Sequence, residues 1–156
     1  MRYFNSLMAI LLTLSFVSCS VEEEEKKVYP ALQSIENTLW YSFDTKAFIY
    51  YDIAYEQTMG SMVGYSDVDR KNEVSRVNFS YTFTPATVVD GFNVDAIVHV
   101  SFDDGRYYGG MLIPKGELQI NNEDVFIIQL YETNDRWEVI YDMSGNMKST
   151  IMMWKE

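Results

Sequence analysis

The side chains that could carry chemistry are few. The chain's single histidine, His99, shares alternate positions with Ser101 and Asp103 along one short run. A base, a hydroxyl and a carboxylate are the parts of a hydrolytic relay. Side chains two apart on a strand project in parallel, however, so this spacing alone builds no relay. A histidine that is exposed or lines a cavity is the expectation. Zinc sites need several His or Cys ligands, and the chain holds one of each. Asp67-Val68-Asp69 begins like a calcium loop, but Lys71 stands where an oxygen donor is needed and no glycine follows. Asp103 and Asp104 are paired carboxylates of the kind that glycoside hydrolysis uses. Neighbours on a strand face opposite sides, and Asp104 forms a turn signal with Gly105. Neither a P-loop pattern nor GxGxxG occurs. A non-enzymatic protein without a cofactor or metal is therefore expected.

Aromatic side chains are the remaining resource. Tyr50-Tyr51 and Tyr107-Tyr108 can stack on sugars or line an apolar pocket. With His99 they make up the expected ligand-binding set. Aromatics at strand spacing also serve as ordinary core and cross-strand pairs. Nine methionines, among them Met143, Met147, Met152 and Met153, are expected to fill gaps in the core.

Cys19 ends an apolar stretch that runs from Leu7 to Val17 behind the positive charge of Arg2. That layout is a secretory signal peptide. The stretch is too short for a spanning helix, which needs about 20 apolar residues, and it meets Glu22-Glu23-Glu24-Glu25 almost at once. Phe16-Val17-Ser18-Cys19 resembles the lipobox of bacterial lipoproteins, in which a small residue precedes an invariant cysteine. The resemblance implies cleavage after Ser18, a diacylglycerol on the Cys19 sulfur and a further acyl chain, such as palmitate, on its amine. Each buried CH₂ adds about 0.8 kcal/mol, so two or three chains anchor firmly. Ser20 followed by Glu22 to Glu25 resembles the surface-export signal of lipoproteins in one Gram-negative group. It implies an outer-membrane protein facing the cell exterior.

The chain carries 12 Lys+Arg against 23 Asp+Glu. Cleavage removes Arg2 alone, leaving 11 against 23 and a net charge of −12. Such a body repels nucleic acid and anionic membrane and tolerates a basic protein partner. No Pro-rich, Gly/Ser-rich or repetitive stretch divides it. The expected organisation is a signal peptide over 1–18, a lipidated acidic tether over 19–29 and one β domain over 30–156.

Alternating hydrophobicity must position the aromatics. Val77, Phe79, Tyr81 and Phe83 alternate with Asn78, Ser80 and Thr82, a half-buried strand. The same period runs through Val94 to Phe102 and through Trp137 to Met143. Leu39 to Asp44, Ala47 to Tyr55 and Gly60 to Asp67 are further strands. Phe126, Ile128 and Leu130 belong to one that is apolar on both faces. Asp90-Gly91, Asp104-Gly105, Asn121-Asn122, Asn134-Asp135 and Ser144-Gly145-Asn146 supply turns. Val28 to Asn37 reads as a short helical turn, with Pro30 at its start and Leu32 and Ile35 on one face. Strands at this regular spacing describe an all-β meander, closed into a small antiparallel up-and-down barrel or folded as a sandwich.

Asn37-Thr38-Leu39-Trp40, then Phe102-Asp103-Asp104-Gly105, Gly109-Gly110-Met111-Leu112 and Gly116-Glu117-Leu118-Gln119-Ile120 follow in an order similar to small lipocalin-like β-barrel lipoproteins of Gram-negative surfaces. That resemblance implies an up-and-down barrel with ligand space inside. The expected function is a surface-anchored, non-enzymatic lipoprotein that binds a small apolar molecule or glycan. A protein-binding envelope lipoprotein, such as a lysozyme inhibitor or assembly subunit, is the alternative.

Overall fold

A computed structural model describes residues 27–155. The signal peptide, Cys19, Ser20 and Glu22 to Glu25 lie outside the described residues. Ten strands follow one another: β1 (Thr38–Asp44), β2 (Ile49–Tyr55), β3 (Met59–Tyr65), β4 (Glu73–Thr84), β5 (Thr87–Val89), β6 (Phe92–Val94), β7 (Ala96–Phe102), β8 (Tyr107–Ile120), β9 (Glu123–Thr133) and β10 (Thr150–Lys155). Eight of them close into an antiparallel barrel in the order β1-β10-β9-β8-β7-β4-β3-β2, while β5 and β6 form a separate hairpin. Of the barrel and the sandwich that alternation and turn chemistry left open, the chain forms the up-and-down barrel.

Register fixes what points inward. Trp40 lies opposite Ile53, and Thr38 opposite Tyr55. Phe79 lies opposite Phe102, Tyr81 opposite Val100 and Phe83 opposite Val98. Leu112 lies opposite Ile128. Trp40, Ile53, Tyr55, Phe79, Val98, Val100, Ile128 and Leu130 are fully buried in the core. Burial of each such side chain stabilises by about 1.5–3 kcal/mol. The rings of Tyr55, Phe79, Phe102 and Tyr108 meet edge to face in sequence, with centroids 5.3–5.6 Å apart. β9 is apolar on both faces because Val125 and Ile127, on its outer side, are buried as well.

The strands alternate in direction, so the barrel has two unlike poles. The start of β1, the β2–β3 and β8–β9 turns, the β5–β6 hairpin and the end of β10 share one, here called the N-terminal pole. Residues 27–37 close it, and they correct the expected helix. The segment is irregular, with a bend at Gln33 and a turn at Glu36-Asn37. Ile35 is fully buried and Leu32 packs against the core. Their spacing satisfies a plug in the barrel end, and tertiary burial decides the backbone. Thr38 Oγ1 donates to the Ile35 carbonyl and accepts from the Trp40 indole. Tyr29 Oη donates to Asp124 at 2.5 Å, which ties the segment to the base of β9.

The second correction concerns Trp137 to Met143, which form no strand. Residues 134–149 are a strap held by two isolated bridges, Thr133 to Val139 and Tyr141 to Met147. Trp137 has φ 65°, a left-handed conformation that a strand does not accommodate. Val94 likewise belongs to β6 of the small hairpin and not to β7.

Candidate functional site

The opposite pole is open. An eight-stranded barrel is just wide enough to be filled by side chains or to hold one small ligand. Here the N-terminal half is filled. At the other end lies a cavity of about 600 Å³, within the range of small-molecule sites. Its inner wall includes Ser42, Tyr51, Met62, Tyr108 and Ile151. The register explains the set: Tyr51 pairs with Ser42 and Gly64, two places along β2 from inward-facing Ile53. The rim comes from the β1–β2 turn with Asp44 and Lys46, the β7–β8 turn with Arg106, and the end of the strap with Met147, Lys148 and Ser149.

The rim is polar and internally braced. Arg106 grips Asp104 with two nitrogens, Nε at 2.9 Å and Nη2 at 2.6 Å, and its guanidinium lies 5.1 Å from the Phe102 ring centre. That hydrogen bonding holds the Asp104 carboxyl below its usual range. Lys148 Nζ meets Glu132 at 2.5 Å. Asp44 accepts from the backbone N–H groups of Lys46 and Ala47, which lowers its pKa and shapes the turn. Tyr108 Oη donates to Ser149 Oγ at 3.2 Å, joining the barrel wall to the strap. The Tyr51 hydroxyl is pushed above its ordinary pKa, chiefly by burial and then by Asp44, so it stays protonated as a donor. Ser42 Oγ donates to the Met152 carbonyl at 2.6 Å. The cavity thus has hydroxyls and braced cations in its lining, together with the apolar side chains of Met62 and Ile151. Chemically, that suits a ligand with a polar end or a polyhydroxylated one.

Of the five residues expected to bind ligand, the structure brings Tyr51 and Tyr108 together in this cavity. Tyr50, Tyr107 and His99 lie on the outer wall. Adjacent strand residues face opposite ways, so each Tyr-Tyr pair is divided. Tyr50 packs on Phe43 with ring centres 4.6 Å apart. Tyr107 meets Trp137 edge to face at 5.9 Å. His99 stacks on Trp137 at 4.2 Å with planes 10° apart. Gly109 lies opposite it, where a Cβ would come within 3.1 Å of the His99 ring. Burial under the strap lowers the His99 pKa. No hydrogen bond joins His99 to Ser101 or Asp103 among the described residues. Also among the described residues, no group of three His, Cys, Asp or Glu could hold a metal ion.

Sequence reasoning missed Ser42, Lys46, Arg106 and the end of the strap. Turn signals at Asp44 and Asp104-Gly105 marked the loops that carry two of them, but not that the loops meet. Fold and site together define a class: an eight-stranded antiparallel barrel with one plugged pole and one open pole. Comparison with known proteins goes no further, because no family model, curated protein or solved structure matches the chain.

Proposed function

We propose that this is a non-enzymatic, surface-anchored lipoprotein of the outer membrane that binds a small molecule in the open end of its barrel. The observation that carries the reading is the cavity of about 600 Å³ between Tyr51 and Tyr108. Its mixed lining favours an apolar molecule with a polar end, or a glycan, over a purely apolar ligand. The lipobox-like Phe16-Val17-Ser18-Cys19 and the acidic run after it support the anchor and its outward address. The placement of the cavity opposite the pole where the chain begins its barrel supports it too. A ligand site would then face away from the membrane.

The test is thermal unfolding against fatty acids, glycans and lysozyme. A ligand at one hundred times its dissociation constant stabilises by about 2.7 kcal/mol, which raises the midpoint by roughly 10 °C. A shift with a small molecule that Tyr51→Ala abolishes is the expected result. A shift with lysozyme alone would overturn it in favour of the second reading, a protein-binding subunit or inhibitor. One observation favours that second reading: Leu39, Phe48 and Met152 are exposed on the outer wall or its edge. For the anchor, Cys19→Ala should abolish fatty-acid labelling, and persistent labelling would refute it. Replacing Glu22 to Glu25 with alanine should remove protease accessibility on whole cells, and unchanged accessibility would refute the outward address.

A further inference from the structure

The β5–β6 hairpin has an apolar surface that no described residue covers. Every residue of both strands is exposed. Val89 is 51 % and Phe92 75 % exposed. Register places Val89 opposite Phe92 and Thr87 opposite Val94, so these four share one face. Val88 and Asn93 share the other. A two-stranded hairpin standing alone in water is marginal, and a contiguous apolar face such as Val89, Phe92 and Val94 points to a contact with something apolar.

Position identifies the contact. The hairpin lies between β4 and β7, at the N-terminal pole. The chain leading from Cys19 arrives at the same pole: Tyr29 and the Lys27 carbonyl lie against Gly116 of β8. Lys27 lies eight positions after Cys19, and fully extended that stretch spans at most about 29 Å. If Cys19 is acylated, this pole is held within that distance of a lipid surface, while the cavity faces away.

We infer that the β5–β6 hairpin is a second membrane contact, laying its Val89, Phe92 and Val94 face into the boundary between headgroups and acyl chains. The inference rests on the acylation proposed above. Asp90 and Gly91, with φ 51° and 82°, form the tight turn at the tip. A charged turn residue forbids deep insertion, so the hairpin lies along the interface with the Asp90 carboxylate among the headgroups. Two contacts fix the barrel's orientation where a single tether leaves it free.

Acylated Cys19 leaves no free thiol in the chain, so Val89→Cys adds a unique site for a polarity-sensitive nitrobenzoxadiazole label. The labelled, acylated full-length protein is reconstituted on vesicles of phosphatidylethanolamine and phosphatidylcholine and recovered by flotation. Ser144→Cys, exposed in the strap, serves as the comparison position. The expected result is a blue shift and loss of aqueous iodide quenching at position 89, with neither at 144. No change at 89 in floated protein overturns the hairpin contact and leaves the anchor standing. Failure to float refutes the anchor and removes the inference with it. A blue shift at 89 without vesicles assigns the surface to a second protein molecule and overturns the lipid contact. Equal shifts at both positions mean deposition without orientation and also overturn it.

Discussion

His99 shows how one aromatic neighbour changes the behaviour of a titratable side chain. Trp137 lies flat over the imidazole at 4.2 Å, and the loss of water lowers its pKa from the ordinary value. The unfolded chain therefore takes up the proton more readily than the folded one. This contribution leaves stability unchanged above the unfolded value of about 6.5 and reduces it as pH falls through the interval down to the folded pKa. Because the chain has one histidine, proton NMR follows it without ambiguity. Its titration midpoint should lie below 6.5, and Trp137→Ala should move it back upward. A midpoint unchanged by Trp137→Ala would separate the shift from the strap. A hydrolytic role could be imagined from sequence because His99, Ser101 and Asp103 share a strand face. That Trp137, 38 residues later, covers the ring is a tertiary fact to which local spacing is blind.

Among the strands, β8 and β9 approach too closely for any side chain but hydrogen at Gly110. A Cβ there would sit 1.8 Å from the Gln129 carbonyl oxygen. Gly110→Ala must push the two backbones apart, an overpacking that costs about 1–3 kcal/mol or more. Thermal unfolding should show the larger loss at Gly110, whereas Gly91→Ala meets no atom but is strained by its φ of 82°, at about 1–2 kcal/mol. Equal effects at the two positions would mean that the close approach is relieved by relaxation. The strands themselves were legible because one wet face and one buried face impose a period of two, as in Val77 to Phe83. Two elements were misread for the same underlying reason. Leu32 and Ile35 have helical spacing, and Trp137 to Met143 have strand spacing, yet the plug and strap obey the barrel they cover. The cavity was half legible. The doublets Tyr50-Tyr51 and Tyr107-Tyr108 stood out as aromatics, but only register, through Trp40 opposite Ile53, decides that Tyr51 and Tyr108 face inward.

At the scale of the whole molecule, closure is what gives the barrel an inside. The seam joins the first strand to the last, with Tyr41 opposite Trp154, and the Ser42 hydroxyl bonds the Met152 carbonyl across 110 positions of sequence. Every other barrel pairing joins neighbours in the meander. Loop-closure entropy opposes contacts of long range, so the sheet should grow by local hairpins, and β10 should meet β1 last. A bond formed after the transition state affects unfolding and leaves folding alone. Ser42→Ala removes about 1 kcal/mol of hydrogen bonding, which should speed unfolding about fivefold with the folding rate unchanged. Stopped-flow kinetics across a urea series separates the two limbs. Slower folding with unchanged unfolding would place the seam in the nucleus, and the barrel would then begin where its ends meet. The same variant bears on binding, because Ser42 lines the cavity. If closure comes last, the pocket between Tyr51 and Tyr108 is completed only by β10, and a ligand there should slow unfolding by holding the seam shut. Ligand that instead accelerates folding would mean that the site assembles before the barrel does.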